Sequence, residues 1–289
     1  MDGIIILDKD SGVFSRTAGG RIARIFNEKK FGHIGTLDPM ASGVLPIVIG
    51  NATKMIPFIE ETCPNKKEYL FGLKFGTETD SLDITGKIIK KAGKTPDDDA
   101  IKTAIEHIQK TTEQIPPAFS AIHINGKRAY ELARRGETAD LPARPIKIYE
   151  LEYIGKNDDE YSFRVLCSRG TYVRALVRDI ATYCGTIATT TYIRRTLSNG
   201  FSIKNAVKLD FLKNLVNNSE AVKKYLMAPD CALGDIPVIS LGIEDAKLYK
   251  NGGFIKTDES DGLRRVYCGE TFIGIGRIKD GLIRPKRTM

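Results

Sequence analysis

The apolar residues of this chain come in runs of strand length, and that limits it to folds built on sheets. Residues 3–7 (GIIIL) and 44–50 (VLPIVIG) are apolar almost throughout, as buried strands are. From Glu68 to Phe75 the pattern EYLFGLKF alternates and then breaks into a turn. IKIYELEYIG and YSFRVLCS, starting at Ile146 and Tyr161, read as the arms of a hairpin. Helical spacing appears three times. Over 16–30, Ile22, Ile25 and Phe26 face inward while Arg21, Arg24, Lys29 and Lys30 face outward. Over 95–114, Thr95 is the expected cap, Pro96 stands in the first turn, and Ala100, Ile101, Ala104, Ile105 and Ile108 form the apolar stripe. His107 falls at the edge of that stripe, a surface position. RGTYVRALVRDIATYCG, from Arg169, turns from a strand into the third helix. The expected class is α+β, a mixed or antiparallel sheet flanked by helices. No run approaches the ~20 apolar residues that span a bilayer.

The pattern breaks at LMAPDCALGDIPVISL, so a catalytic-size domain is expected over 1–234 and a small one over 235–289. The small domain reads as short strands split by glycines, a β barrel or sandwich. Between about Gln114 and Pro145 lies a segment with prolines, little strand periodicity, and Lys127, Arg128, Arg134, Arg135 and Arg144 besides His123. It reads as an insertion that touches a partner. Lys and Arg number 44 against 36 Asp and Glu, a net charge of +8. That balance suits a polyanion or an anionic membrane surface. Cys63, Cys167, Cys184, Cys231 and Cys268 are scattered, with no C-x-x-C pair. A disulfide framework and a zinc ribbon are disfavoured, and a reducing cytoplasm is expected. The opening MDGIIILDKD has too short an apolar run for a signal peptide or a membrane span.

Several chemistries are set aside. There is no G-x-x-x-x-G-K-[ST], no G-x-G-x-x-G opening a helix, no G-x-S-x-G and no H-E-x-x-H. What stands out is GHIGTLDPMASGVLP, from Gly32 to Pro46. His33 and Asp38 alone cannot close a metal site. His33 also reads as an imidazole hydrogen-bonded within its loop. Asp38 precedes a proline, which favours extended backbone there and helps fix the carboxylate. It either caps a turn or serves as nucleophile or base, and the second role requires that it stay ionised. Burial opposes ionisation and a nearby cation restores it. At about 4 Å and an effective dielectric of about 20, one cation contributes roughly 4 kcal/mol. Arg169 and Arg174, in RGTYVR, are the candidate cations.

Taken together, these segments resemble the bacterial TruB-type tRNA pseudouridine-55 synthase family. GIIILDKDSG is similar to its opening strand and GHIGTLDPMASGVLP to its catalytic motif. KKEYLFGLKFGTETDSLD is similar to the segment that carries its active-site tyrosine. QIPPAFSA, GKRAYELARRG and ARPIKIYEL are similar to its RNA-embracing insertion, and SRGTYVRALVRDI to the segment that carries its arginine. The tail resembles its PUA-like domain in length and pattern. The resemblance implies that Asp38 is catalytic, that Tyr69 stacks on the target base, and that Arg174 pairs with the aspartate. It implies that Tyr172 lines the pocket and that His33 supports flipped-out loop bases. It implies a monomer acting on the TΨC stem-loop of tRNA and touching its acceptor arm, with no cofactor, no metal and no membrane. The chain departs from the family at Asp10, where a proline is usual, and at Phe119 and His123. Two other readings remain open at this point. One is a non-catalytic tRNA-binding or folding protein; the other is a synthase of the same family acting on another RNA.

Overall fold

The computed structural model describes residues 1–289 except 63–65, 121, 125, 138–139 and 216–217, so Cys63 lies outside the described residues. The chain forms two compact units. One comprises Met1–Pro39, Gly43–Asn65 and Ser198–Met289, the other Met40–Ser42 and Lys66–Leu197.

In the first unit, β1 (Gly3–Lys9) is buried along its whole length. Helix α1 (Ser15–Ile25) follows it, with Ala18, Ile22 and Ala23 buried and Arg21 and Arg24 exposed. The helix stops at Ile25 rather than running to Lys30. Phe26 caps it, and Asn27 takes a left-handed φ of 52°, which asparagine tolerates. Strand β2 (Phe31–His33) and β1 both pair antiparallel with β3 (Ser42–Ile49); Ile49 faces both Gly3 and Phe31. Ile4, Ile6, Val44, Val48, Met55 and Ile59 form the core here. Each such side chain contributes about 1.5–3 kcal/mol of burial.

The second unit holds β4 (Lys66–Phe75), α2 (Asp98–Ile108), β5 (Ile148–Asn157), β6 (Glu160–Ser168), α3 (Val173–Tyr183) and β7 (Ala188–Ser198). The strands lie in the order β7-β4-β6-β5. β5 and β6 form the expected hairpin, and β4 pairs antiparallel with β6. Phe71 and Phe163 stack between them at 5.3 Å. On the other face, Arg164 meets Glu68, Glu150 and Glu152 at 2.9, 2.6 and 3.1 Å. Helix α2 buries Ile101, Ala104, Ile105 and Ile108. Its cap is Asp97, whose carboxylate accepts from the Ala100 amide at 2.8 Å, not Thr95. Thr95 precedes a proline and is held away from the helical region, so the next suitable side chain takes the role. His107 is exposed and stacks on Tyr183 at 4.6 Å. The insertion is closed at its base by pairing of Gln114 with Arg144, and it contains a helix, Ala129–Arg134, that its sequence did not announce.

Towards the C-terminus of the first unit come β8 (Val238–Ser240), α4 (Ile243–Lys250), β9 (Ile255–Lys256), β10 (Gly262–Cys268), β11 (Thr271–Lys279) and β12 (Leu282–Thr288). They form a sheet in the order β8-β10-β11-β12-β9, with β8 parallel to β10 and the other pairs antiparallel. Tyr249, Val266, Ile273, Ile278 and Ile283 fill its core. Helix α4 was not expected from the sequence, because it buries only Ala246 and Tyr249 and shows no apolar stripe. Gly274 sits at φ 142° where a Cβ would stand 2.1 Å from the Arg287 carbonyl, so only glycine fits. The whole is the α+β class expected, with a strand-rich C-terminal segment. No helix among the described residues is long and apolar enough to cross a membrane.

Candidate active site

Asp38 lies in the loop between β2 and β3, half-buried, and the residues on both sides of it are tied down. Ahead of it, the buried Ser15 hydroxyl donates to the Leu37 carbonyl at 2.8 Å and accepts from the Leu37 amide at 3.0 Å. Behind it, the Pro39 carbonyl accepts from the Gly12 amide at 2.8 Å and from Lys9 Nζ at 3.3 Å. Lys9 is only 1% exposed. Its ammonium also donates to the Val13 and Asp10 carbonyls at 2.7 and 2.9 Å, so one buried cation gathers the turn after β1 and the Asp-Pro loop. A buried charge survives only when its hydrogen-bonding capacity is met. His33 ends β2, opposite Ile47, at the start of the same loop.

The other three residues singled out from the sequence belong to the second unit. Tyr69 sits on β4 opposite Val165 and is buried. Its side chain hydrogen-bonds with Arg195 of β7, a fully buried guanidinium. Burial lowers the Arg195 pKa from the usual guanidinium value, and the contact with Tyr69 opposes that. Tyr172 is the residue before α3. Gln114, buried at the root of the insertion, accepts from the Tyr172 amide at 2.9 Å and donates to its carbonyl at 3.3 Å. Tyr172 also packs on Ile122, Ala129 and Leu141, so the insertion rests against the start of α3. Arg174, one residue into the helix, is 4% exposed. It donates to the Ser81 and Phe119 carbonyls, both at 2.8 Å, and faces Asp83 at 3.7 Å. Asp83 in turn accepts from Ser81 Oγ and the Thr85 amide, both at 2.9 Å, and from Thr85 Oγ1 at 2.5 Å. Arg169, the other candidate cation, is exposed at the turn.

The sequence pointed to Asp38, His33, Tyr69, Tyr172 and Arg174 but not to the residues that fix them: Ser15, Lys9, Asp83, Gln114 and Arg195. Gln114 and Ser15 carry no local signal at all. Lys9, in LDKD, and Asp83, in SLDITG, are ionisable residues inside or beside apolar runs, and that is the signal that would have found them.

Comparison with solved structures gives the fold. A chain of an H/ACA ribonucleoprotein bound to a substrate RNA containing 2′-deoxyuridine superposes with a TM-score of 0.70 at 21% identity, over 99% of this chain and 84% of that one. A chain of an archaeal box H/ACA complex gives the same TM-score at 22% identity. Sequence comparison is more specific. The TruB family pseudouridylate synthase N-terminal domain matches residues 23–173, and the TruB pseudouridine synthase II C-terminal model matches residues 237–289. A tRNA pseudouridine synthase B of Gluconacetobacter diazotrophicus is 36% identical over 100% of this chain and 97% of its own. The protein of that name from Escherichia coli K12 is 34% identical over 99% and 95%. The one from Francisella philomiragia is 37% identical over 99% and 94%. The chain belongs to the TruB family of pseudouridine synthases.

Proposed function

We propose that this protein converts uridine 55 in the TΨC loop of tRNA to pseudouridine, as an isomerase acting on RNA. The N1–C1′ bond of the uridine breaks, the uracil turns, and a C5–C1′ bond forms as C5 loses its proton and N1 takes one up. Nothing is oxidised, reduced or hydrolysed, so the reaction needs a carboxylate and a pocket that retains a detached base. Asp38 is the catalytic carboxylate. Tyr69 stacks on the target base, Tyr172 lines the pocket, His33 supports the flipped-out loop bases, and Arg174 supplies the buried cation. Extruding the target base from the folded tRNA costs a few kcal/mol, and stacking on an aromatic ring offsets part of that. The segment 114–145 embraces the TΨC arm, and residues 235–289, the strand-rich C-terminal part of the first unit, bind RNA and reach the acceptor arm.

The observation that carries this reading is the holding of Asp38. Buried Ser15 grips the residue before it, and buried Lys9 the residue after it. A carboxylate that only capped a turn has no use for a desolvated ammonium behind it. The test is incubation with an unmodified tRNA transcript, followed by base-resolution mapping of pseudouridine. Conversion at one position of the TΨC loop is expected. A transcript bound but left unmodified would favour a non-catalytic tRNA-binding protein.

A further inference from the structure

Among the described residues, five other than glycine hold a left-handed backbone, with φ of 52–62°. Four are asparagine or aspartate at turns: Asn27, Asp158, Asn199 and Asp280. Their short polar side chains tolerate that conformation. The fifth is Leu82, at φ 62° and buried. A bulky residue is an outlier there, and it persists only where its surroundings hold it.

The surroundings of Leu82 do hold it. Its amide donates to the Thr79 carbonyl at 3.0 Å and closes a turn, where a left-handed residue is usually glycine. Its carbonyl accepts from the Thr190 amide of β7 at 3.0 Å, and the Thr190 carbonyl accepts from the Ile84 amide at 3.0 Å. The chain is therefore pinned to β7 on both sides of Asp83. The consequence lies with the two neighbours of Leu82. The Ser81 carbonyl accepts from Arg174 Nη1 at 2.8 Å, and Asp83 Oδ2 lies 3.7 Å from that same nitrogen. The reversal at Leu82 lets a carbonyl and a carboxylate two residues apart converge on one atom. These groups are joined through the two soft dihedrals of residue 82, so an extended or right-handed backbone there swings one of them off the guanidinium.

We propose that Leu82 is a positioning residue for Arg174. Its left-handed backbone, held by two hydrogen bonds and by burial of its side chain, brings the Ser81 carbonyl and the Asp83 carboxylate onto the guanidinium together and fixes Arg174 for the reaction. The role rests on the reading that Arg174 supplies the buried cation of an isomerase site.

The test compares Leu82→Gly with Leu82→Ala in the full chain. Both remove the buried side chain, so they share the packing loss and differ by one methyl group. Glycine adopts a left-handed backbone freely and alanine does not. Pseudouridine formation is measured in single turnover at saturating tRNA transcript, at a temperature where urea titration shows the parent and both variants folded, with tRNA affinity in parallel. Leu82→Gly should keep the rate within about threefold of the parent and Leu82→Ala should lose about tenfold, with affinity within about threefold in both. If the two small variants do not fold, Leu82→Asn, which tolerates the conformation, is compared with Leu82→Val, which does not. Equal rates within the pair overturn the assignment, as does a rate loss in Leu82→Ala matched by an equal loss of affinity. Hydrogen exchange at the Ile84 and Thr190 amides supplies a readout without chemistry and should be faster in Leu82→Ala than in Leu82→Gly. If the parent converts no uridine, the isomerase reading fails, and the exchange rates still decide whether Leu82 holds the loop; equal exchange in the two variants overturns that as well.

Discussion

Ser15 uses one hydroxyl to satisfy both the amide and the carbonyl of Leu37. Ser15→Ala leaves two buried backbone groups without that partner, at a cost of about 1–3 kcal/mol. The expected result is a lowered midpoint in urea and a turnover number that falls more than the tRNA affinity. An unchanged rate would show that the Leu37 clamp does not position Asp38. A second residue-scale expectation concerns Asp83. Removing one member of a buried ion pair strands the other, typically at about 3–5 kcal/mol. Asp83→Ala should therefore destabilise the second unit by that order in denaturant titration, and Asp83→Asn by less. Equal stability of both variants and the parent would mean that the Ser81 and Phe119 carbonyls alone satisfy Arg174. Burial also acts on a thiol: it pushes Cys167 up to about 11. The thiolate is the reactive form, so its fraction at neutral pH drops as the pKa rises. Alkylation at pH 8 should label the exposed Cys231 first and reach Cys167 only on unfolding, as peptide mapping would reveal.

At the scale of elements, what was legible in the sequence is what periodicity and motif encode. β1, β3, the β5–β6 hairpin and α3 fell where their apolar spacing put them, because each buries a face that must be apolar at period two or 3.6. Boundaries read from local chemistry were less secure. Thr95 and Asp97 are both competent caps, and only the backbone direction set by Pro96 decides between them. Helix α4 and the helix Ala129–Arg134 were missed because each is short and buries too few residues to make a stripe. The site divided the same way. Asp38 and His33 were visible from their glycine-rich motif and Arg174 as one of two candidate cations, while Tyr69, Tyr172 and the particular roles of His33 and Arg174 came from likeness to a family. The residues that hold them come from distant parts of the chain: Ser15 lies 22 positions from Leu37 and Gln114 lies 58 from Tyr172. No local pattern encodes such pairs. The insertion supplies the element-scale expectation. Gln114→Ala removes both bonds to the Tyr172 backbone, so protease cleavage between Gly126 and Glu137 should speed up, and bound tRNA should slow it in the parent. Equal cleavage with and without tRNA would contradict the clamping role proposed for this segment.

For the molecule as a whole, a net charge of +8 puts long-range attraction for a polyanion into the protein, while the proposed chemistry rests on one carboxylate. Binding and turnover should therefore separate cleanly. The measurement that tests this most directly compares the parent with Asp38→Asn in single-turnover assays on unmodified tRNA transcript, with tRNA affinity determined in parallel at the same salt. The substitution keeps the size of the side chain and the loop's ties through Ser15 and Lys9. The expected result is tRNA affinity within a few-fold of the parent and no detectable pseudouridine. Conversion by Asp38→Asn above a few per cent of the parent rate would contradict the assignment of Asp38 as the catalytic group.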